Sequence, residues 1–456
     1  MRAYLENPFV LLAIANAIIF GVLLGQRSLR NPGIFLRYAF LFSFLLSTLW
    51  ASLRPRTETP DGPDLYSTGK ELWRLVMNFQ EILVAIVILF VVLLATSGKL
   101  HPTKNTKLAS AALALFAATA AIGTIFTAEA SWSRGLVIPT AFMVALLMYG
   151  RPPLEEWSRY IVFGLALVII GSLVALVVSP EWALSGRGDG LFNLDGRLVG
   201  LSRHPNALGY LAVLLIVITW WSVTSRRVAI VLISASIAVL ILTVSRTAWV
   251  AAIAAFSTWI VFRFFPKMST DSRIFTSFGV LGFGAAIVIS GVWLGFISLE
   301  DRVFFGATTL TGRTYLWGIT WDLWKGSPFF GYGTDAWSIE WREHFGLPWA
   351  GQAHNQFFDT LITAGVLGVL ALFFLIGVLL KLAIDRAETS RGASVALVGI
   401  FLIRGITESS LGSTTFDQMF FSVLILFLML VLPENRTKKG KASSVMDDVN
   451  CTNRCQ

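Results

Sequence analysis

The sequence predicts an all-α, polytopic integral membrane protein, and three observations carry that reading. Of the 456 residues, 55% are hydrophobic and only 14% charged, with a mean hydropathy of +0.71, which leaves too little polar surface to cover a water-soluble globule. Apolar runs of about twenty residues, enough to cross a bilayer as a helix, recur along the chain. Short segments that collect most of the Lys, Arg, Pro and Gly separate these runs, a spacing unlike the alternating strands of about ten residues in a transmembrane barrel.

In order, the runs fall at 8–25, 33–51, 79–97, 108–128, 135–150, 160–179, 204–222, 228–244, 247–262, 276–299, 355–380, 392–408 and 416–432. That makes thirteen spans, or twelve if one of the N-terminal runs does not cross. The first run has no small-residue cleavage site after a short core, so it is expected to remain as a membrane helix. With segments 26–32, 98–107, 151–159, 223–227, 263–275, 381–391 and 433–456 placed inside, the inside set holds 20 Lys and Arg in 79 residues, against 14 in 128 for the outside set. The positive-inside rule then places the long segment 300–354 outside and the tail from 433, with Arg436, Lys438, Lys439 and Lys441, in the cytoplasm. Segment 52–78 runs against the rule with Arg54, Arg56, Lys70 and Arg74, so charge does not order the chain before about residue 98. No repeat or soluble domain is apparent, and residues 1–456 read as one membrane domain with a polar, disordered tail at 433–456.

The net charge of +9 does not point to nucleic acid, because the basic residues are scattered over loops and form no aromatic-interleaved patch. The two cysteines, Cys451 and Cys455, both lie in the tail and indicate neither a disulfide framework nor a metal site. The outer segment is rich in Trp and Phe, among them Trp317, Trp321, Trp324 and Phe329, which suits a lid on the membrane interface.

Ionisable groups at membrane depth cost at least about 2.5–3.5 kcal/mol each, so those that persist tend to face cavities. Arg246 sits in an apolar stretch from Val228 to Phe262, and Arg313 opens TYLWGITWDLW, whose aromatic spacing predicts a helix. Arg203 and His204 lead into the helix that begins HPNALG, and His354 with Asn355 closes the outer segment. Each also has a plain reading: a snorkelling Arg246, a solvated Arg313, and helix caps at His204 and at His354–Asn355. All fall on the outer side of a topology set by charge alone. Two permanent cations and a neutral histidine suit an anion with a base beside it, and a membrane-embedded diphosphate is the natural ligand. His101 is placed inside, and His344 lies in mid-segment with no helix to fix it.

Three stretches carry a resemblance: RLVGLSRHPNALGYLA at 197–212, LTVSRTAWVAA at 242–252, and the block from GRTYLW at 312 through SPFFGYG at 327–333 to AHNQFFDTLITAGVLGVL at 353–370. Over about 200–370 the chain resembles the O-antigen ligase and polymerase family of bacterial membrane proteins. The spacing of His354, Asn355, Gly365 and Gly368 is similar to the family's ligase-type histidine motif. The resemblance implies a GT-C-type membrane glycosyltransferase architecture in the bacterial cytoplasmic (inner) membrane, with the active site on its outer face. It implies a glycan donor on undecaprenyl diphosphate and an acceptor hydroxyl on lipid A-core or another surface glycan, with neither ATP nor a metal as cofactor. By carry-over, His354 is the base that deprotonates the acceptor and Arg246 and Arg313 bind the diphosphate. Arg203, His204, Asn206 and Asn355 are supporting candidates. Glu408 matches an acidic position only loosely, and its spacing from Arg404 favours a structural i, i+4 ion pair.

Two alternatives stay open. A polymerase of the same family would move a growing chain onto a new lipid-linked unit, and a flippase would carry the lipid without chemistry. The missing internal symmetry disfavours a transporter. A reporter that works only in the cytoplasm, fused after Glu434, is expected to be active; activity only from an outside-dependent reporter overturns this orientation.

Overall fold

The computed structural model describes residues 32–53, 65–100, 102–126, 134–150, 153–185, 194, 196–297, 310–334, 336–347, 350–411 and 416–433. Among these, α1 (Pro32–Leu53), α2 (Leu65–Thr96), α3 (Lys104–Phe126), α4 (Arg134–Tyr149) and α5 (Leu154–Val178) come first, followed by the single turn α6 (Pro180–Ala183). The bundle continues with α7 (Pro205–Ser222), α8 (Arg226–Leu242), α9 (Arg246–Phe264) and α10 (Thr270–Ile297). The outer segment contributes α11 (Leu310–Trp324) and α12 (Ile339–His344), and α13 (Gln356–Arg386), α14 (Ala393–Thr407) and α15 (Gln418–Val431) close the chain. The protein is all-α; among the described residues the one β-type pairing is an isolated bridge between Leu184 and Leu198.

Each expected span from 33–51 onward falls on a helix, and seven helices are long and apolar enough to cross a membrane: α1, α2, α3, α5, α7, α9 and α13. The span at 8–25 and the tail beyond Pro433 lie outside the described residues. Two kinds of apolar helix are distinguished by their surroundings. On α2, Ile82, Ile86, Leu89 and Leu93 stand exposed at helical spacing, the face a lipid-bathed helix presents. Every residue of α15 is buried, as expected of a helix that is apolar on all sides and stands inside the bundle. Its first turn is closed by Asp417, whose Oδ1 accepts the N–H groups of Met419 and Phe420, each at 2.9 Å.

Polar ties mark one end of the bundle. There Leu154 N–H donates to Pro433 O at 2.9 Å, Arg386 donates to the carbonyls of Met429 and Leu432, and Arg273 pairs with Glu388 at 2.9 Å. The basic connections 223–227, 263–275 and 381–391 lie at this end. The opposite end gathers the first turns of α7, α9, α13 and α15 and the last turns of α1, α3, α8 and α14.

At that opposite end the long helix α13 is broken. Gly365 has φ 61° and ψ −157°, a conformation that essentially glycine alone adopts, and an added Cβ would overlap the carbonyl of Phe329. A break at membrane depth strands backbone groups, and these must find partners within the protein. Residues 328–333 of the outer segment supply them: Tyr332 N–H donates to Ile362 O (2.8 Å) and Gly333 N–H to Thr363 O (2.9 Å). In return Val366 N–H reaches Pro328 O at 3.0 Å and Leu367 N–H reaches Phe329 O at 3.3 Å. On the other side Thr334 N–H donates to Thr124 Oγ1 of α3 at 2.7 Å. The outer segment is therefore stitched into the bundle by its SPFFGYG stretch, and the two glycine-containing motifs read from the sequence, at 327–333 and 353–370, are halves of one structure. Gly365→Ala is expected to lower the thermal unfolding midpoint, since a strained backbone costs about 1–3 kcal/mol. Gly377→Ala in the same helix, where an added Cβ meets nothing within 4 Å, should leave it unchanged or raise it in detergent-solubilised protein.

Candidate active site

A cavity of about 490 Å³ opens at the end of the bundle beside this break. Its wall includes Arg203, His204, Asn206, Arg313, Gln352, His354, Arg404 and Glu408, so loops and helix ends separated by half the chain meet there.

Glu408 organises the wall. It follows α14 as its C-cap with extended backbone (φ −149°, ψ 149°), which turns the side chain out of helical register and into the cavity. One carboxylate oxygen, Oε1, accepts from Arg313 Nη2 at 2.9 Å and from Asn206 Nδ2 at 3.2 Å. The other, Oε2, accepts from Gln352 Nε2 at 3.2 Å and lies 3.0 Å from His354 Nδ1. Because an ionised carboxylate only accepts, His354 carries its hydrogen on Nδ1, and Nε2 is left as the ring's acceptor. Burial alone would raise the Glu408 pKa, but the His354 hydrogen bond and the charges of Arg313, His354 and Arg404 outweigh it and hold the carboxyl well below the usual range.

The backbone fixes His354 from both sides. The residue is left-handed, with φ 51°, an uncommon state for a side chain other than glycine. Before it, Ala353 N–H donates to the buried Asp359 Oδ1 at 3.1 Å, and Ala353 O accepts from Trp317 Nε1 at 2.9 Å. After it, Asn355 caps α13 by accepting the N–H groups of Phe357 and Phe358 at 2.9 and 3.2 Å, while its Nδ2 donates to Ile406 O at 3.0 Å. Asn355 is thus the cap of the pair, and His354 stands free of that duty. Among the described residues no hydrogen bond engages His354 Nε2 or the remaining N–H groups of Arg313.

The other expected residues divide. His204 is the N-cap of α7, its Nδ1 accepting Asn206 N–H at 3.1 Å. Although it opens on the cavity, desolvation by the surrounding wall lowers its pKa to about 4; Glu408 opposes this, while Arg197 and Arg313 add to it. That keeps the ring neutral, as the cap requires. Arg203 lies over the Trp50 ring with its guanidinium carbon 5.5 Å from the centroid. Arg246 begins α9 just after the backbone break at Val244 (φ 47°), is exposed, and does not line the main cavity. The i, i+4 ion pair expected between Arg404 and Glu408 is not formed: Glu408 has left the helix, and Arg404 donates instead to Ser410 Oγ at 2.9 Å. His344 also differs from expectation, since it ends the helix α12.

Three groups of this wall stand out more in the structure than in the sequence. Glu408 appeared there as a loose match to an acidic family position and as half of a local pair. Arg197 holds the site from behind, donating to Thr243 O and to Asn206 Oδ1, each at 2.8 Å, and so orienting the Asn206 amide toward Glu408. Gln352 is oriented by the Ser409 hydroxyl, which donates to its carbonyl oxygen and leaves the amide nitrogen toward Glu408.

Residues 229–373 match the family model described as O-antigen ligase. Over this segment the chain is similar to the O-antigen ligase family. The ligase segment contains Arg246, Arg313, Gln352, His354 and Asn355, and stops short of Glu408 and Arg404. The chain is also similar to the exopolysaccharide production protein ExoQ of Rhizobium meliloti (strain 1021), with 30% identity over 99 residues. That match spans 20% of this chain and 23% of ExoQ, so the chain aligns with less than a quarter of that relative.

Loss of the Asn355 cap should be measurable apart from any chemistry. Asn355→Ala is expected to destabilise the protein by about 1–2 kcal/mol, and Asn355→Ser, which keeps a capping oxygen, by less. Chemical unfolding followed by tryptophan fluorescence would check the order of the two.

Proposed function

We propose that the protein is a glycosyltransferase that moves a glycan from undecaprenyl diphosphate to an acceptor hydroxyl on the outer face of the bacterial cytoplasmic membrane. The observation that carries this reading is the chain of contacts from Arg313 through Glu408 to His354 on the wall of a cavity, within and beside an O-antigen ligase segment. Its position at the end opposite the basic connections supports the outer face.

In this mechanism Glu408 holds the His354 ring with Nε2 toward the cavity and stabilises the imidazolium once it forms. Nε2 takes the proton of the acceptor hydroxyl as its oxygen attacks the anomeric carbon. The bond from that carbon to the diphosphate oxygen breaks on the opposite side, and the diphosphate leaves with the electron pair. Arg313, with Arg246 as the second cation that the family resemblance implies, offsets the charge that develops on the leaving group. The displacement is single and inverting, and no step in it calls for a metal. The acceptor is a lipid A-core or another surface glycan, the whole forming a membrane domain of the GT-C type. A second reading, an exopolysaccharide polymerase whose acceptor is another lipid-linked unit, draws support from the similarity to ExoQ.

Purified protein in lipid nanodiscs, offered a panel of lipid-linked donors and acceptors, tests the proposal. His354→Ala is expected to remove transfer, since a positioned base contributes about 10²–10⁴-fold, while donor binding persists. Glu408→Gln should lower kcat more than it changes donor binding. Arg313→Lys should impair donor use, because a point charge does not reproduce the guanidinium fork. Near-normal turnover by folded His354→Ala protein, or retained anomeric configuration in the product, overturns the mechanism.

A further inference from the structure

Arg404 is a buried cation that the mechanism above leaves without a task. It sits in the last turn of α14 at 6% exposure, yet lines the main cavity. Its guanidinium carbon lies 4.5 Å from the centroid of the buried Tyr210 ring, which fixes the plane, and its Nε is used on Ser410. A guanidinium has five N–H donors. The four on Nη1 and Nη2 make no hydrogen bond within the described residues, and the carboxylate four positions on is turned to Arg313 and His354. Burying a charge with its donors unpaired is costly, so such a group ordinarily has an oxygen-rich partner.

The surroundings say what kind. A narrow crevice lined by Asn206, Tyr210, Ser245, Thr247, Arg404 and Glu408 runs from Arg404 to the first turn of α9. The Ser245 side chain makes no capping bond there, so the leading amides of α9 present the positive end of the helix to the same wall. Arg313 shares the main-cavity wall with Arg404, whereas Arg246 follows Ser245 in the first turn of α9 and lines neither cavity. An anion with two charged groups offers one of them to Arg313 and the other to Arg404.

We propose that Arg404 is a phosphate-binding residue, donating its free N–H groups to the diphosphate beside the part held by Arg313. The proposal rests on the donor class proposed above and adds a buried contact outside the matched segment. The Tyr210 ring and Ser410 hold the guanidinium flat and ready, so little order is lost on binding.

The test uses the full chain in nanodiscs with undecaprenyl diphosphate, carrying no sugar, as the probe. Arg404→Gln is expected to weaken probe binding about tenfold or more, as for a lost charge-assisted hydrogen bond, and Arg404→Lys by less. Inorganic diphosphate should displace the probe from wild type and do so less well from Arg404→Gln, whereas phosphatidylglycerol competing equally with both would assign the site to lipid headgroups and overturn the proposal. Probe affinity of folded Arg404→Gln protein indistinguishable from wild type also overturns it, as does equal weakening for undecaprenol, which has no phosphate. Should Arg404→Gln fail to fold, the stabilisation that the probe confers on Arg404→Lys decides, and an undiminished shift counts against the proposal. Arg404-dependent probe binding in a protein that transfers nothing would keep this inference and remove the transferase reading.

Discussion

A carboxylate withdrawn from water stays ionised only where donors take the place of its hydration shell, and at Glu408 four of them do. They come from α7, α11 and the residues just before α13, Gln352 and His354, so satisfying one charge sets three parts of the chain relative to the end of α14. The dependence runs both ways. Without Glu408 the Arg313 guanidinium would stand unpaired in the cavity wall and His354 would lose the acceptor that selects its tautomer. Arg197 and Asp359 extend the arrangement outward by orienting Asn206 and the Ala353 amide, so the contacts of Asn206 and His354 with Glu408 are themselves braced. A site of this kind is preorganised: little must move when charge develops in it.

The second constraint is the unwinding of α13. A continuous helix would satisfy its own backbone and leave nothing for the outer segment to hold. The turn at Gly365 releases carbonyls and amides that only another stretch of main chain can match, and residues 328–333 do so. This brings Trp317 and the aromatic face of α11 over Ala353 and Phe358, with the Trp317 and Phe358 rings stacked at 5.4 Å. Described residues between Arg313 and His354 therefore form part of the cavity wall, and the outer segment is tied down at two places.

The placement of the helices was legible in the sequence because hydropathy reports whether a stretch lives in lipid or protein interior, and both favour helices. The caps were legible too, since Asn355 and His204 act within three residues of their own positions. What was hidden was long-range. Nothing local to Glu408 announces that its partners lie up to 202 residues away, and the one partner that helical spacing suggested, Arg404, is the one it does not bond. The extended backbone at Glu408 breaks the register on which an i, i+4 reading depends. Arg246 was found by its motif, but the motif carries no record that its side chain lies outside the main cavity. Gly365 was likewise visible as a motif position and silent about its purpose, because a glycine among apolar residues reads equally as a packing contact or a break.

The bonds that fasten residues 328–333 to α13 run between peptide groups, and peptide groups are the same whatever side chain they bear. An attachment of that kind ignores the identity of most residues within it. Phe329, which is 65% exposed, can be exchanged without loosening the attachment, while Gly331, Gly333 and Gly365 cannot, because backbone or Thr124 already occupies the space a Cβ would need. Side chains on the outer surface of this segment are therefore free to change while its mooring in the bundle stays as it is.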